Sequence, residues 1–227
     1  MGTPYYQFCP VAKAMELLDE RWTMLVIREM LAGSQRFTEL RRGLPRMSPA
    51  LLSKRLRELS AAGLVTRTED HGGTRYLLTP AGSELEPIVV ALGGWAVRWI
   101  GELGDPDLDP KLLMWDLHRH VNRPELPGGR LVVSFAFSDV PPRQRYWWLV
   151  CNDGEVDVCD RDPGFEATIG VRTALRTLIK IWRGDLDWAQ AARAGALTVD
   201  GSGEMHRLLP RLFLLPGGRW AQAPAPG

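Results

Sequence analysis

Nine basic side chains fall between residues 34 and 76: Arg36, Arg41, Arg42, Arg46, Lys54, Arg55, Arg57, Arg67 and Arg75. Four acids accompany them, Glu39, Glu58, Glu69 and Asp70, so this segment carries an excess of +5 in a chain whose formal net charge is only +1. A local excess of this kind suits a patch that meets a polyanion. Guanidinium forks pair with phosphate oxygens, and clustered charge raises the local concentration of an anionic partner. Other residues capable of chemistry are sparse or badly spaced. His118 and His120 lie two apart, and on a helix such positions point away from each other, which disfavours a metal chelate. His71 and His206 stand alone. The chain has no phosphate-binding glycine loop, no G-x-S-x-G and no C-x-x-C. No catalytic residue, metal or cofactor is expected.

The elements that must position the arginines can be read around them. Pro10 opens a helix that runs to about Leu18. "ERWTMLVIREML" gives a second helix, with Trp22, Leu25, Val26, Glu29 and Met30 at helical spacing and Gly33 as its stop. "FTELRRGL" gives a third, burying Phe37 and Leu40. Ser48 and Pro49 cap and start a fourth, in which Leu52, Leu56 and Leu59 make one buried stripe. Two strands follow, "LVTRTE" and "TRYLLT", joined by the glycine-bearing turn "DHGG". Thr79 and Pro80 then start a long last helix through "PAGSELEPIVVALGGWAVRWIGEL", whose apolar surface calls for a partner helix.

Helix, helix, basic helix and hairpin, in that order, make a winged helix-turn-helix, which places a helix in the major groove of double-stranded DNA. With the leucine stripe inward, Ser48, Pro49, Ala50, Ser53, Lys54 and Arg57 face the groove. Arg36, Arg42, Arg46 and Arg75 suit phosphates.

These residues resemble a known family. "CPVAKAMELLDERW", "RFTELRR", "SPALLSKRL", "LSAAGLV" and "LTPAG", in that order over about residues 9–103, are similar to the HxlR-type winged-helix regulators of bacteria. The resemblance implies a homodimer built through the first and last helices and bound to a pseudo-palindromic operator. Leu92, Trp95 and Trp99 are then the dimerisation candidates. It also makes Cys9, at the Cys-Pro position, a possible redox residue. Only Lys13 is a nearby cation in sequence, so a buried or capping role is the plainer expectation for Cys9.

Past the linker "GELGDPDLDPKL" the pattern changes. "GGRLVVSFAFSD", "RYWWLVCNDG", "EVDVCDRDPG" and "ATIGVR" read as strands. The Asp153-Gly154 turn sets Cys151 opposite Val156 and Cys159 opposite Trp148, so the two cysteines do not face each other. "TALRTLIKIWRGD" is an amphipathic helix with Leu175, Leu178, Ile179 and Trp182 on one face. "LDWAQAARAGALTVDG" adds a helix and a strand, and "GEMHRLLPRLFLLPG" a last helix. The stretch "DWAQAARAGALTVDGSGEMHRLLPRLF" resembles the sterol-carrier-protein-like fold, which implies an apolar tunnel for a hydrophobic small molecule. Trp115, Phe135, Phe137, Trp147, Trp148, Trp182, Trp188 and Phe213 are the candidate lining, for a ligand expected to be largely uncharged.

The fold class expected is α+β. An N-terminal winged helix-turn-helix DNA-binding and dimerisation domain spans 1–104. A C-terminal α/β sterol-carrier-protein-like domain spans 105–218, and a disordered tail spans 219–227. Three cysteines and no basic-then-apolar leader point to a reducing cytoplasm, with no membrane partner. The function expected is a ligand-responsive transcription regulator. The alternatives are a protein that sequesters a hydrophobic ligand and regulates itself, or a thiol switch at Cys9.

Overall fold

The computed structural model describes residues 4–100 and 103–215. The tail expected at 219–227 lies outside the described residues. The chain divides into two compact units at Gly93–Gly94, ahead of the boundary near residue 105 expected from composition.

In the first unit, α1 (Pro10–Leu18) carries its proline at the first turn, where no helical N–H is required. The helix α2 (Thr23–Leu31) starts later than its apolar spacing predicts, because Trp22 sits at φ 79° as its N-cap. The inward stripe is accordingly Thr23, Val26, Ile27 and Met30, and Leu25 is left 41% exposed. Next, α3 (Phe37–Gly43) is capped by the Glu39 carboxylate, which accepts from the backbone N–H of Arg36 at 3.0 Å and Gln35 at 2.8 Å. Fully buried Glu29 pairs with Arg28 at 2.5 Å, and a methyl group at Gly43 would collide with its carboxylate, so a larger residue at the end of α3 would force Glu29 to move. Helix α4 (Pro49–Ala61) buries Leu52, Leu56 and Leu59, as the stripe requires, against Val26, Ile27 and Leu40.

Strands β1 (Val65–Asp70) and β2 (Gly73–Leu78) pair antiparallel with Asp70 opposite Gly73. The expected long last helix is broken in two: α5 (Pro80–Ser83) and α6 (Glu86–Trp99). The cause is Pro87, which has no N–H to donate to the carbonyl of Ser83 and whose ring crowds that turn.

In the second unit, Asp109 caps α7 (Pro110–Arg119) by accepting from the N–H groups of Lys111 at 2.9 Å and Leu112 at 3.3 Å. A mixed sheet follows, made of β3 (Arg130–Phe137), β4 (Tyr146–Asn152), β5 (Glu155–Cys159) and β6 (Ile169–Thr173), then helices α8 (Leu175–Arg183) and α9 (Trp188–Arg193), and last β7 (Leu197–Asp200). The strand order is β5-β4-β3-β6-β7; only the β3–β6 pair is parallel. Asp153 at φ 49° and Gly154 at φ 85° make the two-residue turn, and the register sets Cys151 against Val156 and Trp148 against Cys159, as expected.

Leu131, Val133, Phe135 and Phe137 of β3 share one sheet face with Trp147, Leu149 and Cys151 of β4. Met114 and Leu117 of α7 and Leu175, Leu178 and Ile181 of α8 close the core over that face, while Ile179 and Trp182 pack half-buried at its margin. Helix α10 (Gly203–Leu208) is shorter than its leucines predict, since Pro210 cannot continue it. Burial pushes the Cys151 thiol up to about 11, and it pushes Cys159 up too, helped by Asp157 and Asp160. Both are therefore poor thiolates at neutral pH.

Candidate nucleic-acid interface

The basic face is built on the start of α4. Ser48 Oγ accepts from the N–H of Leu51 at 3.3 Å, and Pro49 occupies the first helical position. With the leucines inward, Pro49, Ala50, Lys54 and Arg57 are exposed together with Ser48, and Ser53 is half-buried. Arg42 and Arg46, just before the helix, are exposed too. Lys54 reaches Glu58 only at 3.8 Å, a pair of small energetic weight on a helix surface. Among the described residues, Arg57 has no carboxylate within ion-pair distance. One rim of α4 therefore presents cations over groups small enough to approach a base edge.

Two of the ten expected DNA residues also make contacts within the wing. Arg36 donates to the Gly72 carbonyl at 2.5 Å and to Asp70 at 3.3 Å. Arg75 donates to Asp70 at 3.3 Å and to the Gln35 side chain, and the N–H of Tyr76 donates to the Gln35 carbonyl at 2.8 Å. Asp70 also accepts from the N–H of Gly72 at 2.8 Å; that bond, with the two guanidinium groups, holds its carboxyl below the usual range. Arg36 and Arg75 thus tie the hairpin to the start of α3, with side chains that stay 35% and 41% exposed. The reason is geometric: the turn brings Asp70 between them. Arg67 is likewise paired with Glu69 at 2.7 Å, so the wing carries less free positive charge than its arginines imply.

Sequence spacing also missed Arg55. It is buried at 4% exposure and donates to Glu20 and Glu58, each at 2.5 Å, and to the Arg21 carbonyl at 3.1 Å. Burial works to raise Glu58, but the hydrogen bond and charge of Arg55 outweigh it and hold that carboxyl low. Arg55 therefore locks α4 to the α1–α2 connection. Its position on the leucine side of the helix was the available signal. Arg41, exposed beside Arg42, was also passed over.

Along α6, Ile88, Leu92, Trp95 and Trp99 are 47%, 52%, 52% and 70% exposed. They recur every three or four residues, so they make one open apolar stripe. Cys9 is half-buried at the N-cap of α1, with no side-chain capping bond.

The eight rings expected to line a tunnel fall into three settings. Trp115, Phe135, Phe137, Trp147 and Phe213 are core residues, 0–7% exposed. Trp182 and Trp188 pack half-buried against the same core, and Trp148 lies on the opposite sheet face. Phe135 stacks on Phe137, and Trp188 stacks on Phe213. The groove of about 350 Å³ that opens in this unit is lined by none of them. Among the described residues, no His/Cys/Asp/Glu group could hold a metal, and no helix is long and apolar enough to cross a membrane.

A capped basic helix laid on two others and followed by a tethered two-stranded wing defines the winged helix-turn-helix class. Residues 17–103 match the model of the HxlR-like helix-turn-helix family. An uncharacterised HTH-type transcriptional regulator of Bacillus subtilis, YvaP, is 40% identical over 98 residues, which is 41% of this chain and 91% of that protein. A second such regulator, sll1512 of Synechocystis, is 34% identical over 95 residues, 40% of this chain and 70% of its own length. The reduced form of the transcriptional regulator YodB from B. subtilis is 29% identical over 42% of this chain and all of its own, with a TM-score of 0.38. The chain belongs to the HxlR-like helix-turn-helix family.

Proposed function

We propose that this chain is a DNA-binding transcription regulator that acts as a homodimer on a pseudo-palindromic operator. The observation that carries the reading is the register of α4. Its leucines are buried, and Ser48, Pro49, Ala50, Lys54 and Arg57 are turned outward together, with Arg42 and Arg46 beside them. The helix N-terminus adds the Ala50 N–H and a positive dipole end for a phosphate. A two-fold arrangement follows from the stripe on α6: a monomer would leave Leu92, Trp95 and Trp99 in water, and a second copy covers them. The five-stranded sheet with helices over one face supports a sterol-carrier-protein-like C-terminal domain with a regulatory role. The packed rings move the search for its ligand away from the core.

The test is selection of duplexes from a random pool by the full-length protein, followed by titration of the recovered sequence. A paired-half-site sequence bound far more tightly than random duplex is expected. No preference over random duplex would sink the regulator reading.

A further inference from the structure

The groove in the second unit is amphipathic. One wall is apolar and comes from Val97, Trp99 and Leu103; the other is the outer face of α8, with Arg176, Lys180 and Arg183 at i, i+4 and i+7. These three recur on one side of the helix because the opposite side, Leu175, Leu178 and Ile181, is spent on the core. The charged side chains on the groove are four cations, Arg98 included, against one acid, Asp185.

Two of the cations are fixed in place. Arg176 donates to the Leu103 carbonyl at 2.6 Å and pairs with Asp105 at 2.5 Å; Arg183, its side chain only 15% exposed, pairs with Asp185 at 2.9 Å. Lys180 lies between them, exposed, and among the described residues no carboxylate reaches it. A volume of about 350 Å³ falls in the range of small-molecule sites.

We infer that this groove binds an amphipathic carboxylate, with its apolar body against Val97, Trp99 and Leu103 and its carboxylate on Lys180. The class follows from the two walls. A neutral apolar molecule would leave Lys180 unanswered, and a small inorganic anion would leave the apolar wall in water. The ligand expected from sequence was uncharged; the groove assigns it a negative end. Trp99 belongs both to this wall and to the exposed stripe of α6. Occupancy would therefore be felt at the proposed dimer face, provided the ligand distinguishes the free from the operator-bound arrangement. That consequence rests on the regulator reading; the binding itself does not.

The probe is decanoate below its micellar concentration, titrated calorimetrically into the full-length protein, with decan-1-ol as the matched neutral compound. Saturable binding of decanoate is expected. Decan-1-ol and the charge-reversed variant Lys180→Glu should each lower affinity by about tenfold or more, the worth of one charge-assisted hydrogen bond. Lys180→Arg should keep it. Absence of saturable decanoate binding, equal affinity for decan-1-ol, or unchanged affinity in Lys180→Glu would each overturn the inference. Binding of the selected operator by the same preparations, without decanoate, separates the two readings. If operator is bound and decanoate is not, the groove assignment falls alone. If decanoate is bound through Lys180 and no operator is recognised, the regulator reading falls alone.

Discussion

Arg55 and Arg57 stand two positions apart on α4, and their environments divide them. Arg57 points to solvent. Arg55 is enclosed by Glu20, Glu58 and the Arg21 carbonyl. Lys54→Ala and Arg57→Ala are each expected to lower the slope of log affinity against log salt by about one when a phosphate contact is lost, measured by fluorescence anisotropy on the selected operator. Arg36→Ala, which loosens the wing without removing a backbone contact, should weaken binding with the slope nearly kept. Arg55→Ala should act on stability instead. It leaves two carboxylates without their shared donor, though both retain some access to water, so a loss of about 2 kcal/mol is expected in urea unfolding. A change within error would show the Arg55 lock to be incidental.

The wing is held as an element by Asp70. Because the folded protein keeps this carboxyl below its ordinary value of 3.8, the unfolded state binds the proton more readily. The tether's contribution is thus complete above that ordinary value and fades as pH falls through the lower folded one. The Gly72 amide, followed by NMR, should lose its hydrogen-bonded shift only in that acid range, and Asp70→Asn should show no such transition. Helix α6 makes a different prediction. Trp95 and Trp99 lie at i, i+4 on the exposed stripe, so replacing both with alanine removes the largest rings from the proposed two-fold contact. Light scattering should report monomer or insoluble protein; a clean, stable dimer would count against that contact.

For the molecule as a whole, the two separate hydrophobic cores matter most. Each unit has its own set of fully buried side chains, and a core substitution acts on the unit that contains it. Leu56→Ala and Phe137→Ala should each cost about 2–5 kcal/mol. In calorimetry, the first should lower the midpoint of one transition and the second that of another. A single transition shifted equally by both would show that the units unfold as one body.

The sequence by itself determined the local structure. Pro10, Ser48-Pro49 and Thr79-Pro80 mark helix starts that the structure keeps. Leu52, Leu56 and Leu59 face inward as their spacing demands, and Asp153-Gly154 sets the β4–β5 register. These are short-range effects of caps, periodicity and turn geometry, written in neighbouring residues. Sequence also showed that the charge was concentrated between residues 34 and 76, but not which arginines were free to use it. That depended on Asp70, Gln35 and Glu20, partners as far as forty positions away, which only the folded chain brings within hydrogen-bonding distance. The aromatic rings follow the same rule. Their types and strand faces were legible in sequence, whereas whether they met a ligand or one another depended on how closely the helices settled on the sheet. The amphipathic groove needed tertiary structure for the same reason: it joins residues 97–100 and 103 to residues 176–185, and no local pattern relates the two.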